Sequence, residues 1–552
     1  MNGLSTTPVG IVGGGPIGLL LALFLDRHKV SSVVFNTEES VPGQPRGSTH
    51  NARTMEHYRR LGLAQQVRRL GLPWDHATDI AFFTRYNGLE LARLPWVSPG
   101  EALQQVATAD QADQTPEPIH RANQMYVEQL LLDHARTRPN ITLRFGWRVV
   151  GLTEQPDHVI LTCERGSDAQ TWRADYAAGC DGGRSFVRRR LGTHYSGPCS
   201  LEQDVLGRRA TAAHLRIPNL YCDFLGHRKA WSYWAVNSQF ALNLIAINGV
   251  DEFFLLSSSV DPATPTDGEI IRLVQQAAGV DIPVDVLSRR PWTPGLALVA
   301  EQFGSTRTLL AGDAAHLFTP NGGFGMNTGV DDAANLSWKL AAAIQGWAGP
   351  RLLDSYQLER QPIAFRNTAA ARELNIGLGT IERPATLEED SADGVATREK
   401  IGAKLAEYGQ LTLDTIGVQL GARYDRSPIV DAGNEAPPPD TFTTYTPSGV
   451  AGGRAPHLWL DDFHGPHSSI FDQFGIGFTV LRLGRTAPNV VGLEDAARRR
   501  GLPLKVVDVT DAAARDLYER DLVLIRPDQH VAWRGNRTPT DPAGLLAHVT
   551  GG

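Results

Sequence analysis

Three glycines near the N-terminus have the spacing of an anion-binding turn. Gly13, Gly15 and Gly18 lie between a short apolar run with strand character and a longer apolar run with helical character. In this context the first glycine allows a tight turn, the second lets the backbone approach a pyrophosphate, and the third lets the helix pack closely on the strand. The N–H groups that begin the helix then favour a negative charge. The stretch therefore predicts a dinucleotide-binding site.

Two aspartates further along the chain also stand beside glycines. Asp181 precedes a glycine, and Arg188 follows seven positions later. An Asp-Gly pair makes a tight turn with a fixed hydrogen-bond acceptor, and the arginine supplies charge for a phosphate. Asp313 ends an apolar strand and leads through a glycine-rich loop at 320–327 into a helix. Glycines in such a loop let the backbone come within hydrogen-bond distance of a flat cofactor ring.

The elements that must position these residues follow from the hydrophobic pattern. A second strand at 31–35 follows the first helix, and a dinucleotide-binding unit usually ends this strand in Asp or Glu to hold a ribose hydroxyl. Here the strand ends in Asn36, which forms weaker hydrogen bonds than a carboxylate. Aromatic, alternating sequence at 192–290, including the segment 221–224, predicts an antiparallel sheet. We expect this sheet to cover the cofactor.

Size and composition limit the remaining possibilities. A chain of 552 residues exceeds one compact core, so we expect two or three domains. A net charge of −7 gives no reason to expect a nucleic acid or an anionic membrane as a partner. The N-terminus lacks the basic region of a secretory signal, and Leu19–Leu25 is too short to span a bilayer, so we expect a cytoplasmic protein.

The cysteines show neither zinc-binding nor redox spacing. We therefore expect free, buried thiols in a reducing compartment and no metal site. The four residues are Cys163, Cys180, Cys199 and Cys222.

Taken together, the motifs resemble those of the class A flavoprotein monooxygenases, and specifically the phenol-hydroxylase-like aromatic hydroxylases. The resemblance spans about residues 8–375 and includes a Pro-Arg…Asn-x-Arg-Thr-Met-Glu segment at 45–56 and a Leu-x-x-Tyr-x-x-Glu-Arg-x-Pro helix at 353–362. It implies bound FAD, so the N-terminal glycines would hold the FAD pyrophosphate. The expected cofactor-binding residues are Gly13, Gly15, Pro16, Gly18, Asn36, Arg46, Arg53, Gln124, Asp181, Asp313, Pro320, Gly323, Gly325, Met326 and Asn327.

The resemblance also implies the fold, which is α/β. We expect a Rossmann-like FAD-binding domain of the p-hydroxybenzoate hydroxylase (PHBH) type, an antiparallel β-sheet substrate domain and a C-terminal thioredoxin-like α/β domain. No cysteine follows Cys222, so the last domain cannot perform dithiol chemistry, and packing or homodimer contacts are its expected role. The expected divisions are 1–73, 119–191 and 291–375 for FAD, 74–118 and 192–290 for substrate, 376–399 for a linker and 400–552 for the thioredoxin-like domain.

In enzymes of this family NAD(P)H reduces FAD, O2 adds at the flavin C4a position, and the resulting hydroperoxide hydroxylates a phenolic aromatic substrate. The protein must exclude water and often deprotonates the phenol, for which a histidine is well suited. His50 lies closest in sequence to a cofactor segment and is the first candidate base. Asp223 and Tyr221, in the expected sheet layer, are further catalytic candidates, followed by His227 and Arg228.

Two other kinds of function remain open. A Baeyer–Villiger or epoxidising monooxygenase of the same fold would act on a polycyclic substrate. A flavin reductase or oxidase would insert no oxygen, and neither would a degenerate FAD-binding regulator. The intact loop at 320–327 and the presence of both Asp181 and Asp313 argue against degeneracy.

Overall fold

Strands and helices alternate along most of the chain. The computed structural model describes residues 4–108, 114–198, 210–226, 228–260, 263–292, 296–460 and 468–552. The strands, in chain order, are β1 Ser5–Val12, β2 Ser32–Asn36, β3 Thr49–His50, β4 Ile80–Phe83, β5 Glu90–Leu94, β6 His120–Arg121, β7 Ile141–Phe145, β8 Arg148–Glu154, β9 Val159–Arg165, β10 Asp168–Gly179, β11 Tyr195–Ser196, β12 Ala210–Arg216, β13 Ser232–Val236, β14 Ala241–Ala246, β15 Glu252–Ser257, β16 Asp285–Trp292, β17 Leu298–Ala300, β18 Thr308–Leu310, β19 His316–Leu317, β20 Trp459–Leu460, β21 Ser468–Ser469, β22 Phe478–Leu483, β23 Leu504–Val509, β24 Leu522–Ile525 and β25 Val531–Gly535.

The helices complete the list of elements. They are α1 Pro16–Arg27, α2 Ala52–Arg60, α3 Ala64–Arg68, α4 Pro99–Thr108, α5 Gln124–Arg136, α6 Phe186–Arg190, α7 Asp267–Ala278, α8 Phe324–Gln345, α9 Asp354–Gly379, α10 Ala392–Leu413, α11 Ile416–Leu420, α12 Val491–Arg500, α13 Ala512–Tyr518 and α14 Pro542–Val549. Within the described ranges, none of the helices is long and apolar enough to cross a membrane.

The first sheet carries the glycine turn near its centre. Its order is β7-β2-β1-β10-β9-β8, and β18 also pairs with β10. The strands β7, β2, β1, β10 and β18 are parallel, whereas β8 and β9 continue the sheet in antiparallel fashion. Since parallel strands end at the same edge, the segments after β1, β10 and β18 lie together. These segments contain the predicted glycine and aspartate motifs.

The second sheet has two faces with different neighbours. Its order is β16-β12-β15-β14-β13-β4-β5, and it is antiparallel except where β4 pairs with β13. Successive strand residues point to opposite faces. Tyr233 and Leu244 pack with α7 on one face, while Trp234 and Ile245 lie on the other. The antiparallel sheet predicted for this region is therefore present, and β4 and β5 extend it.

The aromatic segment that begins at Tyr221 is not a strand, so that prediction was wrong. Leu220–Leu225 form one turn of π-helix. The residues on either side, Asn219 and Gly226, have positive φ angles of 62° and 52°, which interrupt extended backbone. The turn buries Tyr221 and exposes Asp223. Its aromatic content resembled a strand, but its burial does not alternate.

The cysteines differ in exposure. Cys163 is buried, Cys180 is half-buried and Cys222 is exposed, and all three are free thiols. The expectation of buried thiols was therefore wrong for Cys222, which lies in the π-helical turn. Cys199 lies outside the described residues. In the part of the chain that the structure describes, no group of three His, Cys, Asp or Glu side chains is arranged to hold a metal ion.

A third sheet forms the core of the C-terminal region. Its order is β23-β22-β24-β25, with β22 and β23 parallel and the other pairs antiparallel. Apolar residues of α12 and α14 pack on one face of it, and residues of α13 pack on the other. This mixed sheet between helices is the α/β arrangement predicted for the region.

Helix α10 covers one face of the second sheet. Its residues Ile401 and Leu405 pack with Phe82 and Leu94 of β4 and β5. A Cβ on Gly409 would lie 2.1 Å from a methyl carbon of Leu94, so a glycine is needed for this close approach. The helix spans both the predicted linker and the start of the predicted third domain. The predicted domain division remains a proposal, and residues 392–413 pack on the second sheet.

A buried network of ion pairs joins the C-terminal region to α8 and α9. Arg526 donates hydrogen bonds of 2.6 and 2.8 Å to the two carboxylate oxygens of Glu359. Lys339 of α8 donates to the same carboxylate at 2.7 Å. Arg454 pairs with Glu56 of α2 in the same way. Because these side chains are almost completely buried, breaking a pair would leave an uncompensated charge, and the network therefore fixes the C-terminal region in place.

Candidate active site

One large cavity connects the first and second sheets. Its volume is about 1480 Å³, and it runs from the glycine turn to the face of the second sheet that bears Trp234. The predicted cofactor residues that line it are Gly13, Gly15, Pro16, Asn36, Arg46, Gln124, Asp181, Asp313, Pro320, Gly323, Gly325 and Met326. Gly18, Arg53 and Asn327 lie outside this lining. The structure thus brings together residues from widely separated parts of the sequence.

The glycine turn is closely packed on the protein side and open on the cavity side. A Cβ on Gly13, whose φ is 112°, would lie 2.3 Å from the carbonyl oxygen of Cys180, and one on Gly18 would lie 1.9 Å from that of Gly13. A Cβ on Gly15 would meet no atom within 4 Å. Helix α1 begins after Gly15 without a side-chain cap. The first N–H groups of the helix can therefore bind an anion in the cavity.

Two amide side chains predicted to contact the cofactor also support the cavity wall. Asn36 accepts a hydrogen bond from the Gly14 N–H at 3.1 Å and donates to the Glu38 carbonyl at 2.9 Å, so it holds the glycine turn. Gln124 donates to Glu128 one helical turn later. Burial raises the pKa of the Glu128 carboxyl. Both amides line the cavity in addition to making these contacts.

Asp181 holds the start of α6 while it lines the cavity. Its carboxylate accepts hydrogen bonds from the N–H groups of Phe186 and Val187 at 2.6 and 3.1 Å and from the Ser185 hydroxyl. A carboxylate at a helix N-terminus interacts favourably with the helix dipole. Burial nevertheless raises the pKa of Asp181. The predicted Asp-Gly turn is thus held rigidly at the cavity edge.

Asp313 stands on a turn that a second aspartate holds from behind. The N–H of Gly312 donates to Asp332 at 3.0 Å, and His316 Nε2 lies 2.6 Å from the same oxygen. Arg360 donates to the other oxygen at 2.8 Å. Burial raises the pKa of Asp313. Burial would also raise that of Asp332, but His316 and Arg360 hold it below its ordinary value. Asp332 therefore positions the turn without reaching the cavity.

The loop at 320–327 is fixed to strand β3. Gly323 has a φ of 67°, and a Cβ there would lie 2.9 Å from the Cβ of Thr49. Asn327 donates to the Thr49 carbonyl at 2.9 Å and accepts from the Asn51 N–H at 3.0 Å. Asn327 therefore joins the loop to β3 instead of lining the cavity. The glycines of the loop remain at the cavity surface.

The two arginines predicted to face the cofactor have different surroundings. Arg46 is exposed and lines the cavity. Arg53 is buried, and its guanidinium donates to Glu56 at 2.9 Å, to Gln529 at 2.7 Å and to the Asp528 carbonyl at 2.7 Å. The structure does not bring Arg53 to the cavity, because these contacts hold it against the C-terminal region.

His50, the first candidate base, lies behind the cavity wall. It is fully buried, with Nε2 3.0 Å from the Ala122 carbonyl and Nδ1 3.2 Å from the Tyr58 hydroxyl. The carbonyl requires a proton on Nε2, so Nδ1 accepts from Tyr58. Burial, with a contribution from Arg121, lowers the pKa of His50 to about 4. A neutral ring with both nitrogens engaged is not placed to take a proton from a substrate.

The other catalytic candidates also lie away from the cavity. Tyr221 packs in the core on the α7 face, with its hydroxyl 3.3 Å from His76 Nε2. Asp223 is exposed on the π-helical turn, and Arg228 donates to backbone carbonyls. None of these three residues lines the cavity. His227 lies outside the described residues.

The substrate side of the cavity has an aromatic wall that the sequence motifs did not identify. Four tryptophans line it together with the polar pair Ser232 and Asn243, whose side chains are hydrogen-bonded at 2.9 Å. Alternation within β13 and β14 was the available signal, since every second residue faces the same side. Arg121 and Arg290 also line this wall. The tryptophans are Trp96, Trp231, Trp234 and Trp292.

The residues at the first-sheet end of the cavity fit FAD. The open face of Gly15 and the uncapped start of α1 suit a pyrophosphate. The carboxylates of Asp181 and Asp313, which line the cavity, provide hydrogen-bond acceptors beside it. Backbone of the loop at 320–327 borders the passage to the aromatic wall, where a flat ring would lie. A cofactor held in this way would face the substrate side.

Two family models match the chain. The model described as "FAD binding domain" matches residues 6–371. The model described as "Aromatic-ring hydroxylase, C-terminal" matches residues 448–551. The first match contains all the predicted cofactor residues, and the second contains the C-terminal four-stranded sheet.

Known proteins resemble the chain over nearly its full length. The FAD-dependent monooxygenase apdD of Emericella nidulans is 30% identical over 99% of this chain and 91% of its own. The phenol 2-monooxygenase of Pseudomonas sp. (strain EST1001) is 28% identical over 99% of this chain and 92% of its own. The solved structure of the rebeccamycin biosynthetic enzyme RebC with reduced flavin superposes with a TM-score of 0.87, at 34% identity and 99% coverage of both chains.

Proposed function

This chain belongs to the family of FAD-dependent aromatic-ring monooxygenases, and we propose that it uses NAD(P)H and O2 to hydroxylate a phenolic aromatic substrate. The observation that carries this proposal is the continuity of the cavity. One space joins the glycine turn and the Asp313 turn to a wall of four tryptophans. A cofactor and a flat aromatic molecule bound at the two ends would meet at the loop 320–327.

The chain's own residues would bind, orient and shield the reactants. The glycine turn would hold the FAD pyrophosphate, Asp313 its ribityl chain and the loop 320–327 its ring. FAD, when bound, supplies the reduction of O2 and the transfer of one oxygen atom. Tryptophan faces orient an aromatic ring by stacking, and the enclosing sheet and α10 exclude water. Among relatives, the phenol 2-monooxygenase supports a phenolic substrate.

An isotope experiment tests the proposal. The FAD-loaded protein is mixed with NADH or NADPH, a panel of one-ring and fused-ring phenols, and O2 labelled with ¹⁸O. We expect substrate-stimulated NAD(P)H oxidation and one labelled oxygen in the product. The variant Asp313→Ala serves as the control that should lack FAD. Peroxide release with every phenol, and no labelled product, would contradict the proposal.

A second candidate is supported by the lack of a histidine that could act as a base on the substrate side, among the residues that the structure describes. A reaction that needs no proton removed from a phenol, such as Baeyer–Villiger oxidation or epoxidation of a polycyclic substrate, would be compatible with this wall. The volume of about 1480 Å³ would admit such a substrate beside FAD. Insertion of labelled oxygen into a ketone or alkene, with phenols unreactive, would favour this candidate.

A further inference from the structure

Arg121 is a buried cation in the cavity wall without an acidic partner. We propose that it binds an anionic oxygen of the aromatic substrate, together with Trp231, so that the preferred substrates carry a carboxylate or an ionised phenol. This inference rests on the proposed function, since it assigns the chemical class of the molecule that the aromatic wall receives. It makes Arg121 a specificity-determining residue.

The position of Arg121 is fixed by its strand and by a tryptophan. Strand β6 pairs with β3 in a register that sets Arg121 opposite Thr49, whose hydroxyl accepts from the guanidinium. The guanidinium carbon lies 3.8 Å from the centre of the Trp231 ring, over its face, within the range of a cation–π contact. Both residues line the cavity. The guanidinium is therefore held at the substrate wall.

Both side chains have an N–H group without a partner. Arg121 is 8% exposed, and its Nε has no hydrogen-bond partner. The indole Nε1 of Trp231 is likewise buried and unpaired. Unsatisfied buried donors are unfavourable, and most buried polar groups in proteins have a partner. Two such donors on neighbouring side chains indicate a site that a ligand's oxygen atoms complete.

The charge of Arg121 is also uncompensated. Among the described residues, no carboxylate oxygen lies within 4 Å of its guanidinium, whereas other buried arginines such as Arg360 and Arg526 have such partners. Burial alone lowers the pKa of Arg121 to about 9. The neighbouring histidines, His50 and His120, have pKa values lowered by burial and stay neutral. A buried cation without a counter-ion is costly, so an anion in the cavity would bind favourably here.

The substrate is the better source of this anion than the cofactor phosphates. Trp231 directly precedes β13 of the second sheet, and its backbone N–H donates to the carbonyl of Asp79, which directly precedes β4. The phosphates would lie at the opposite end of the cavity, at the glycine turn. Arg290, the other arginine of the aromatic wall, is half-buried and donates to the Pro45 carbonyl, so it is less isolated from water.

Such a site would also favour ionisation of a phenol. A positive charge close to a hydroxyl stabilises its deprotonated form. Within the described residues the wall offers no histidine base, so the ionised form of a phenol bound here would depend on the charge of Arg121. A carboxylate substituent and an ionised phenol present the same chemistry to the guanidinium, and binding measurements can distinguish them.

Equilibrium binding to the FAD-loaded protein tests the inference. Anthraquinone-2-carboxylate and its neutral carboxamide are titrated by calorimetry into the wild type, Arg121→Gln and the control Arg216→Gln, whose side chain is exposed at the end of β12. We expect the wild type and the control to prefer the carboxylate by about tenfold, the scale of a charge-assisted hydrogen bond. Arg121→Gln should bind both probes equally.

A second probe distinguishes the source of the anion. The ionisation of bound 2-naphthol is followed by absorbance across pH in the same proteins. A lower ionisation pH in the wild type than in Arg121→Gln, without a carboxylate preference, assigns the anion to the phenol. Equal behaviour of the wild type and Arg121→Gln towards all three probes would overturn the inference. Because turnover is not measured, that result would leave the hydroxylation proposal intact.

A milder variant covers the case in which Arg121→Gln fails to fold. Trp231→Phe keeps a ring beneath the guanidinium but removes the indole N–H. It should retain FAD and bind the carboxylate probe several-fold more weakly than the wild type, with a smaller change for the carboxamide. Unchanged affinity for both probes would count against the paired donor site.

Discussion

His316 Nε2 and Asp332 Oδ2 lie 2.6 Å apart, and both side chains are completely buried beneath the turn that carries Asp313. The same carboxylate accepts from the Gly312 N–H and from Arg360. An aspartate that does not reach the cavity therefore sets the position of one that does. The geometry at the flavin end consequently depends on charges packed behind it.

The variant Asp332→Asn should be strongly destabilised. It preserves the shape of the side chain but removes the charge that compensates Arg360, which is fully buried. Leaving one member of a buried pair uncompensated costs about 3–5 kcal/mol. Urea unfolding should therefore show a lower free energy of unfolding, and FAD should dissociate more readily. The matched control Asp495→Asn, in an exposed pair with Arg498, should change neither quantity. Equal stability of both variants would contradict the role of Asp332.

Asp313→Ala should yield folded protein that lacks FAD. Asp313 lines the cavity beside the first-sheet strand ends, and its loss removes an acceptor from the cofactor end. Flavin absorbance after gel filtration measures the occupancy. Asp223→Ala provides the control, because Asp223 is exposed on the π-helical turn and should leave occupancy unchanged. Stoichiometric FAD in Asp313→Ala would remove Asp313 from the cofactor site.

His50→Asn should change the pH dependence of stability more than that of catalysis. The folded-state pKa of about 4 lies below the ordinary value of 6.5, so between these values the unfolded chain binds a proton that the folded chain excludes. Stability therefore falls as pH drops from 6.5 towards 4, by about 1.4 kcal/mol per pH unit for this residue. In His50→Asn, the free energy of unfolding should therefore fall less steeply between pH 6.5 and pH 4 than in the wild type.

Hydroxylation by His50→Asn, measured between pH 6 and pH 9, should keep the wild-type profile, because both ring nitrogens are engaged within the protein. Selective loss of hydroxylation with normal FAD reduction would restore His50 as the candidate base.

Arg526→Met should weaken both the fold and FAD binding. Arg526 donates twice to Glu359, which also binds Lys339 of α8, the helix that follows the loop 320–327. Removing the guanidinium leaves buried carboxylates with too little positive charge, at a cost of about 3–5 kcal/mol. The control Arg515→Met breaks a partly exposed pair with Asp521 in the same region and should cost far less. Thermal unfolding measures the stability of the two variants, and FAD titration measures their affinity for the cofactor. Similar losses of stability and of FAD affinity in both variants would show that the buried network has no special role.

Thr412→Phe should narrow the range of substrates. Thr412 lines the cavity from α10 and is half-buried, so a larger side chain would project into the space beside the aromatic wall. We expect kcat/KM for three-ring substrates to fall by about tenfold or more, while one-ring phenols lose much less. Gln410→Phe, exposed on the same helix, is the control. An equal fall in kcat/KM for one-ring and three-ring substrates would show that Thr412 does not limit the size of the substrate.

The parts of the site that the sequence predicted are those encoded by short segments. A strand, a glycine turn and a helix form a local unit, and Gly13 and Gly15 of this unit line the cavity. The family models confirm the resemblance on which the FAD assignment depended. The same holds for Asp181 and Asp313, each of which follows the end of a parallel strand.

The parts that the sequence did not reveal depend on distant contacts. Arg53 was assigned to the cofactor from its motif, but its partner Gln529 is 476 positions away. His50 was chosen for its nearness in sequence to a cofactor segment, and only burial showed that it lies behind the wall. No sequence motif identified Arg121, because an unpaired charge can be recognised only when all of its neighbours are known. Motifs locate backbone turns better than they locate side-chain partners.

The two faces of the second sheet serve different purposes, and this separation affects how the protein could change during evolution. On β13, β14 and β15, residues that face the cavity alternate with residues that pack under α7. Substitutions on one face therefore need not disturb the packing of the other. Substrate preference can diverge by mutation at alternate positions while the structural core is inherited unchanged. On these three strands, a directed-evolution library would target the cavity-facing residues Ser232, Trp234, Asn243, Ile245, Phe254 and Leu256.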